Sequence, residues 1–126
     1  LILVKNPMGF RLALKSFNPS GHGTMIVIND EYADGRDMSW LWDVDFTSLR
    51  GTAVDMVSGV RATDMALRLA YDEVDSIHVD DSISQELGTF IADTAGKPKH
   101  IYCTYTAMLA VRKALSQIAD VEDVGL

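Results

Sequence analysis

Short apolar runs alternate along the chain with longer stretches in which apolar residues recur at helical spacing. The runs of strand length lie at 1–4, 24–28, 52–57, 77–79 and 100–103. Helices are predicted over 7–16, where Asn6 and Pro7 form a helix-opening pair, and over 61–71, 82–94 and 105–119, with Thr104 as the cap of the last helix and an acidic tail after it. This alternation predicts an α/β fold, a mostly parallel sheet of about five or six strands with helices on both faces.

Polar residues follow three of the predicted strands. They occupy positions 5–6, 29–37 and 58–61. Because binding sites of parallel sheets gather beyond the carboxyl ends of the strands, we expect these groups to converge on one edge.

The segment 29–46, NDEYADGRDMSWLWDVDF, is the most acidic part of the chain. It holds six of the 18 acidic residues and both tryptophans, Trp40 and Trp42. A solvated loop is the ordinary interpretation of such acids. However, the pairs at 29–30 and 34–35 form turns, and the tryptophans indicate a packed platform beside them. A calcium loop is excluded, since Tyr32 stands at the third ligand position and Leu41 at the position of the bidentate Glu.

Length and charge narrow the class of protein. At 126 residues the chain needs no metal or disulfide to fold, and we expect 1–126 to be a single domain. The net charge of −7 argues against a nucleic-acid partner and favours small molecules or proteins. No apolar run approaches the roughly 20 residues of a membrane span, so we interpret the chain as soluble. A start at Leu1 instead of Met suggests a piece of a longer polypeptide.

The residues do not form a self-contained nucleophilic or metal site. Cys103 precedes a helix, a place that can activate a thiolate, but burial as a small hydrophobe is the commoner outcome. The histidines, His22, His78 and His100, show no metal-ligand spacing.

Two weaker signals suggest an anion site. Asn6 and Pro7 open a helix whose first amides can bind phosphate, although ordinary capping explains the pair equally well, and Lys5 beside them favours a ligand. Arg61 can bind phosphate or pair with Asp64 one turn later. The residues alone therefore predict a carboxylate-rich site with a few bases at the strand ends, and leave its chemistry open.

Four stretches resemble a known family. They are LVKNPMGF at 3–10, INDEYADGRDMSWLWDVDF at 28–46, SGVRATDMALRLAY at 58–71 and YTAML at 105–109. Together they are similar to the C-terminal domain of the MurT family, the Mur-ligase-like subunits of bacterial lipid II isoglutaminyl synthase. The similarity covers nearly the whole chain, and the ADGRD-x-SW-x-WD string is its most specific part.

The resemblance implies a two-subunit amidotransferase of peptidoglycan synthesis, working in the cytoplasm at the inner face of the membrane. A GatD-type glutaminase partner releases ammonia from glutamine. The ligase subunit uses ATP and Mg to activate the α-carboxyl of D-glutamate in lipid II, which ammonia converts to D-isoglutamine. ATP is bound mainly by a central domain that this chain lacks, so the chain is expected to be an incomplete Rossmann-like ligase fragment.

The resemblance also assigns roles to residues. Asp37 is expected to complete a Cys-His-Asp triad whose Cys and His belong to the partner, because a carboxylate behind a histidine fixes its tautomer from either chain. The residues expected to bind substrate or phosphate are Lys5, Asn6, Asp34, Arg36 and Arg61. The alternative function is a non-catalytic module that docks a glutaminase or another protein through the acidic segment 29–46.

Overall fold

The computed structural model describes residues 1–124, with side chains described for residues 1–118. Its strands and helices are β1 (Ile2–Leu3), α1 (Pro7–Ser16), β2 (Gly23–Val27), β3 (Val54–Ser58), α2 (Ala62–Tyr71), β4 (Ser76–Val79), α3 (Ile83–Asp93), β5 (Lys99–Cys103) and α4 (Tyr105–Val124). The five strands form one sheet in the order β1-β5-β2-β3-β4, with every pair parallel. The predicted α/β fold with a parallel sheet is confirmed.

Alternate side chains of the strands pack into two hydrophobic cores, one on each face of the sheet. Ile26 and Ile28 point to the face covered by α1, α2 and part of the acidic segment. Met25 and Val27 point to the opposite face, which α3 and α4 cover. This period of two explains why the central run from Met25 to Ile28 is apolar at every position.

Two predicted boundaries were wrong. Thr52 and Ala53 do not belong to β3, because both amides bond back to the carbonyl of Leu49 and Ala53 has a φ of 61°. Helix α4 runs on to Val124 instead of ending at 119, so most of the predicted acidic tail is helical, and its last two residues lie outside the described part.

The chain leaves neighbouring strands toward opposite faces at the carboxyl edge of the sheet. After β1 and β2 it turns to the face of α1, whereas after β5 it enters α4 on the other face. This arrangement opens a cleft beside the end of β5, the location at which α/β sheets bind ligands. Among residues 1–124, no helix is both long and apolar enough to cross a bilayer.

Candidate functional site

Asn29 joins three strand ends at the carboxyl edge. Its side chain accepts a hydrogen bond from the amide of Val60 at 3.0 Å and donates to the hydroxyl of Thr106 at 3.2 Å. Its own amide donates to the hydroxyl of Thr104 at 2.9 Å. Asn29 is 8% exposed, so these bonds are shielded from water and fix the acidic segment to both β3 and β5. The predicted convergence on one edge is confirmed for the polar groups after β2 and β3, and the contact with the end of β5 was not predicted.

A glycine allows the turn after β3 to approach β2. Gly59 has a φ of 95°, and a Cβ there would lie 2.4 Å from the carbonyl oxygen of Ile28. The same oxygen accepts a hydrogen bond from the amide of Arg61 at 2.9 Å. Only glycine fits this position, since any side chain would push the β3–α2 turn away from the site.

Asp34 caps helix α4 from the acidic segment. One carboxylate oxygen accepts from the amide of Thr106 at 2.7 Å, and the other accepts from its hydroxyl and from the amide of Glu31. Thr104 occupies the predicted cap position, since its carbonyl accepts from Met108, but its hydroxyl binds the amide of Asn29. The side-chain cap therefore comes from Asp34, which we had predicted as a substrate or phosphate contact.

Replacing Asp34 with alanine is expected to lower the free energy of unfolding by about 1–2 kcal/mol, the usual cost of losing an N-terminal helix cap. The amide and the hydroxyl of Thr106 in the first turn of α4 would lose their acceptor. Urea unfolding measures the effect. The matched control is Asp43→Ala, which removes an exposed acid of the same segment and should change stability by less than about 0.5 kcal/mol. Equal stabilities of the two variants would contradict the capping role.

Asp37 lies exposed at the tip of the segment. Its Oδ1 accepts a hydrogen bond from the amide of Ser39 at 3.0 Å. The backbone amide of Ser39, followed by its side chain, lowers the pKa of the Asp37 carboxyl. Asp37 is therefore a charged acceptor at neutral pH, presented to solvent in a fixed local turn. Arg36 beside it is exposed as well.

Arg68 of α2 and Asp72, the residue that follows this helix, hold the acidic segment in place, and sequence reasoning missed both. Arg68, 7% exposed, donates to the carbonyls of Leu41, at 3.1 Å, and Val44. Its guanidinium pairs with Asp72 at 3.0 Å. The second Asp72 oxygen accepts from the amide of Phe46 at 2.8 Å. A charged pair four residues apart on the otherwise apolar face of α2 is the signal that could have revealed them.

The two tryptophans stabilise the segment in different ways. Trp40 is half-buried against the core, with its ring 6.4 Å from that of Phe10. Trp42 lies on the surface, edge-on to Tyr71 at 4.9 Å, and the guanidinium of Arg68 lies 5.2 Å from its ring centroid. Both contacts support the interpretation of a packed platform beside the acids.

Arg61 is already paired within the chain. Its guanidinium bonds to Asp30 at 2.8 Å and to Asp64 at 2.9 Å, and hydrogen bonds to Asp64 and Asp30 raise the pKa of Arg61. Of the two predicted alternatives, pairing with Asp64 is present. Arg61 shares with Arg36 and Asp37 a surface cleft of about 290 Å³, here called the Asp37 cleft. Its other lining residues are Met38, Ser39, Leu41, Trp42, Asp64 and Leu67.

Lys5 and Asn6 lie apart from the Asp37 cleft. Asn6 caps α1 as predicted, since its side chain accepts from the amide of Gly9 at 2.8 Å. Lys5 is exposed and lines a second cleft of about 460 Å³, here called the switch-point cleft. Its other lining residues are Leu3, Val4, Ala33, Asp34, Gly35, Thr104 and Tyr105. Of the predicted residues, Lys5 and Asp34 thus line the switch-point cleft, and Arg36, Asp37 and Arg61 line the Asp37 cleft. Asn6 is not among the lining residues of either cleft.

The chain's cysteine and histidines do not complete a triad with Asp37. Cys103 is buried in the core, as predicted, and burial raises its thiol pKa to about 11. His22 and His100 stack on each other at 4.3 Å near the opposite, amino edge of the sheet. The described residues contain no group of three or more metal-ligating His, Cys, Asp or Glu side chains. Among the described residues, the side chain of Asp37 hydrogen-bonds to the amide of Ser39 and to no histidine.

Comparisons with known proteins agree with this architecture. The family described as MurT ligase C-terminal matches residues 3–108. The "Lipid II isoglutaminyl synthase (glutamine-hydrolyzing) subunit MurT" of Streptococcus pneumoniae is 34% identical over 122 residues, which are 92% of this chain and 27% of that protein. The protein of the same name from Staphylococcus aureus is 40% identical over 78 residues, 58% of this chain and 18% of that protein.

The comparisons also show how much of each relative this chain covers. It spans only about a quarter of the length of the Streptococcus pneumoniae relative and less of the Staphylococcus aureus one. The family match, over residues 3–108, includes all the residues that line the two clefts. The chain belongs to the MurT family and carries its C-terminal ligase domain.

Proposed function

We propose that this chain is the C-terminal domain of the ligase subunit of a glutamine-dependent amidotransferase that converts the D-glutamate α-carboxyl of lipid II to D-isoglutamine. Asp37 carries the proposal. It is an exposed, charged acceptor held in a braced segment, while Cys103 is buried and His22 and His100 lie near the other sheet edge. A glutaminase of the GatD type, acting as the second subunit, supplies the missing histidine and cysteine.

Asp37 acts through the partner's histidine. Its carboxylate accepts the hydrogen bond of one imidazole nitrogen, so that the other nitrogen can take the proton of the cysteine thiol. The thiolate attacks the side-chain amide carbon of glutamine, and the imidazolium returns the proton to the leaving ammonia. Water then cleaves the thioester to glutamate. Since the lowered pKa keeps Asp37 ionised, it stabilises the imidazolium at each turnover.

The switch-point cleft is proposed as the contact with the ligase substrates. ATP, with Mg, supplies the phosphoryl group that activates the carboxyl for attack by ammonia. In this chain the exposed ammonium of Lys5 can hold a phosphate or carboxylate there. Asn6 occupies the amide of Gly9, which leaves Lys5 as the main anion contact. ATP and Mg are proposed to be held mainly by the rest of the subunit.

Replacing Lys5 with methionine in the full subunit is expected to raise the KM for ATP or for lipid II about tenfold, which corresponds to about 1.4 kcal/mol. Glutaminase activity in the complex should not change, since Lys5 lies outside the Asp37 cleft. The control is Lys15→Met on α1, which removes another exposed ammonium. Unchanged KM values for both substrates would exclude Lys5 as a ligand contact.

Reconstitution tests the proposed function directly. The full subunit is combined with a glutaminase, glutamine, ATP, Mg and lipid II, and the stem peptide is analysed by mass spectrometry for replacement of a carboxyl by an amide. We expect the amide only when ATP is present, and with either glutamine or ammonium as the nitrogen source. No amide with ammonium, ATP and lipid II would refute the ligase assignment.

A docking role without catalysis is the second candidate, favoured by the exposed apolar side chains of Trp42 and Leu67 beside Asp37. In that case Asp37→Asn would reduce activity only by weakening association. An excess of glutaminase would then restore the full rate, which it does not do if Asp37 belongs to the triad.

A further inference from the structure

Two histidine rings stack on each other at the amino edge of the sheet. His22, in the loop before β2, stacks on His100 of β5 with 4.3 Å between the ring centroids and 18° between the ring planes. Phe17, the first residue after α1, lies 5.2 Å from the same His100 ring. Side chains from both ends of the loop 17–22 therefore pack on one imidazole. His22 and His100 are here called the histidine pair, and neither lines the Asp37 cleft or the switch-point cleft.

The ring nitrogens of the histidine pair differ in the partners they have. Nδ1 of His22 lies 2.8 Å from the carbonyl oxygen of Ser20, and since a carbonyl only accepts, this nitrogen carries a hydrogen. The exposed ring of His22 can therefore take up a second proton without losing its hydrogen bond. By contrast, Nδ1 of His100 is buried and has no hydrogen-bond partner among the described residues. Because both nitrogens of a charged imidazole carry hydrogen, protonated His100 would hold a buried donor that none of these residues accepts from.

The described groups around the histidine pair do not supply a counter-ion. Thr24 of β2 is the register partner of His100, and its hydroxyl is also buried without a partner in the part of the chain that the structure describes. On β5, the ring of Tyr102 lies 6.3 Å from that of His100, and burial raises the pKa of Tyr102 to about 12, so the phenol is neutral. Asp55 of β3 lies beyond Thr24, where its carboxylate accepts a hydrogen bond from the amide of Thr24 at 2.8 Å. Among the described side chains, neither His22 nor His100 forms an ion pair.

Acid therefore acts against the folded state at His100. Burial, followed by repulsion from His22 and from the amino group of Leu1, lowers the pKa of the His100 imidazole. An imidazole in an unfolded chain titrates near 6.5. The unfolded chain consequently binds this proton more tightly than the folded domain does. The stability contributed by neutral His100 is thus complete above about pH 6.5 and is lost as the pH falls toward the pKa of the folded state.

We propose that the histidine pair is an acid-sensitive contact, which holds the loop 17–22 against β5 at neutral pH and releases it in acid. Two neutral rings stack, whereas two charged rings 4.3 Å apart repel each other. The first proton goes to exposed His22. The second proton, on His100, separates the rings, because its buried Nδ1 lacks an acceptor among the described residues. The inference goes beyond the proposed function, since it concerns the amino edge of the sheet and not the two clefts.

Hydrogen–deuterium exchange of the full-length subunit at pH 7 and pH 5 tests the release of the loop. The amides of His22 and Gly23 are hydrogen-bonded to backbone carbonyls, so their exchange reports whether the loop is attached. After correction for the intrinsic exchange rate, protection of these amides should fall about tenfold at pH 5 in the wild type. In His100→Phe it should fall by less than about twofold, because a phenyl ring of similar size keeps the stacking but takes up no proton.

The matched control is His78→Gln, which removes the third histidine of the chain, an exposed residue of β4 beside Asp93 at 3.5 Å, and should keep the wild-type response to acid. His22→Phe keeps an aromatic ring on His100 but removes the neighbouring charge, so its loss of protection should begin at a lower pH than in the wild type. A wild-type response of both His100→Phe and His22→Phe would overturn the proposal, as would a response abolished by His78→Gln. Should His100→Phe prove unstable in thermal unfolding, His22→Phe decides the question, and an unshifted onset in that variant would overturn the proposal.

Discussion

Asp37→Asn in the full subunit should lower glutamine-dependent amidation by about 10³-fold or more without loss of the complex. The asparagine oxygen can still accept from the amide of Ser39, so the local turn is kept. An amide carries no charge to stabilise an imidazolium and favours the wrong histidine tautomer, and the corresponding change in a serine protease costs about 10⁴-fold. The measurement is the rate of glutamate release by the complex.

Ammonium as the nitrogen source separates this loss from a general defect. Ammonium bypasses glutamine hydrolysis, so the Asp37→Asn complex should amidate lipid II at the wild-type rate when ammonium replaces glutamine. A variant that failed with both nitrogen sources would have lost ligase function, and Asp37 could not then be assigned to the glutaminase triad alone.

Asp45 provides the matched control. Its Oδ1 accepts from the amide of Thr47 at 2.9 Å, the same turn that Asp37 forms with Ser39. The pKa of Asp45 is lowered for the same reason, chiefly by the Thr47 amide. Asp45 faces a different groove, beside Arg11 of α1, so Asp45→Asn should leave glutaminase activity within twofold of wild type. A normal rate for Asp37→Asn, or equal losses for both variants, would contradict the triad role.

The glutaminase activity of the complex is expected to fall as the pH is lowered from 7 to 5. Ser39 holds the pKa of Asp37 below its ordinary value of 3.8, so the carboxylate stays charged at every pH above that value. An unperturbed histidine titrates near 6.5. A loss of glutaminase activity between pH 7 and pH 5 would therefore report protonation of the partner's histidine. Ser39→Ala should not change the pH at which this loss occurs.

Local sequence signals were sufficient for the order of the elements. The Asn6-Pro7 pair opens α1 where predicted, and the apolar runs correspond to the strands with ends shifted by one or two residues. The exceptions depend on tertiary contacts. Ala53 leaves the strand because its amide bonds back to Leu49 in a left-handed turn, which an apolar run does not reveal.

The candidate site was predicted less completely because its contacts are distant in sequence. Asp34 and Thr106 are 72 residues apart, so nothing local could show that this acid caps α4. Arg68 lies 27 residues after Leu41, whose carbonyl it binds. The polar groups were predicted to form one site, but they line two clefts. The reason is that the segment 29–46 folds over the face of α1 and α2 and places Asp37 away from Lys5.

The two clefts nevertheless share one segment. Asp34 lines the switch-point cleft and caps α4, and three residues later Asp37 lines the other cleft. Asp34 and Asp37 are therefore positioned by the same short stretch of backbone, although they line different clefts.

Arg68→Met should lower the free energy of unfolding by about 3–5 kcal/mol, the cost of removing one member of a buried ion pair. Asp72, whose side chain is 18% exposed, would lose its counter-charge, and the carbonyls of Leu41 and Val44 would lose a buried donor. The free-energy penalty of leaving these groups unpaired is larger than the stabilisation gained by burying the apolar methionine side chain. Denaturant unfolding measures the difference.

Arg112→Met on α4 is the control, since it removes an exposed arginine from a helix and should change stability by less than about 0.5 kcal/mol. Adding Asp72→Leu to Arg68→Met should recover part of the loss, because it removes the unpaired carboxylate. If Arg68→Met were as stable as Arg112→Met, the buried pair would not hold the segment. Because the same pair supports Trp42 and the turns that present Asp37, the Arg68 variant should also bind glutaminase more weakly at temperatures where it remains folded.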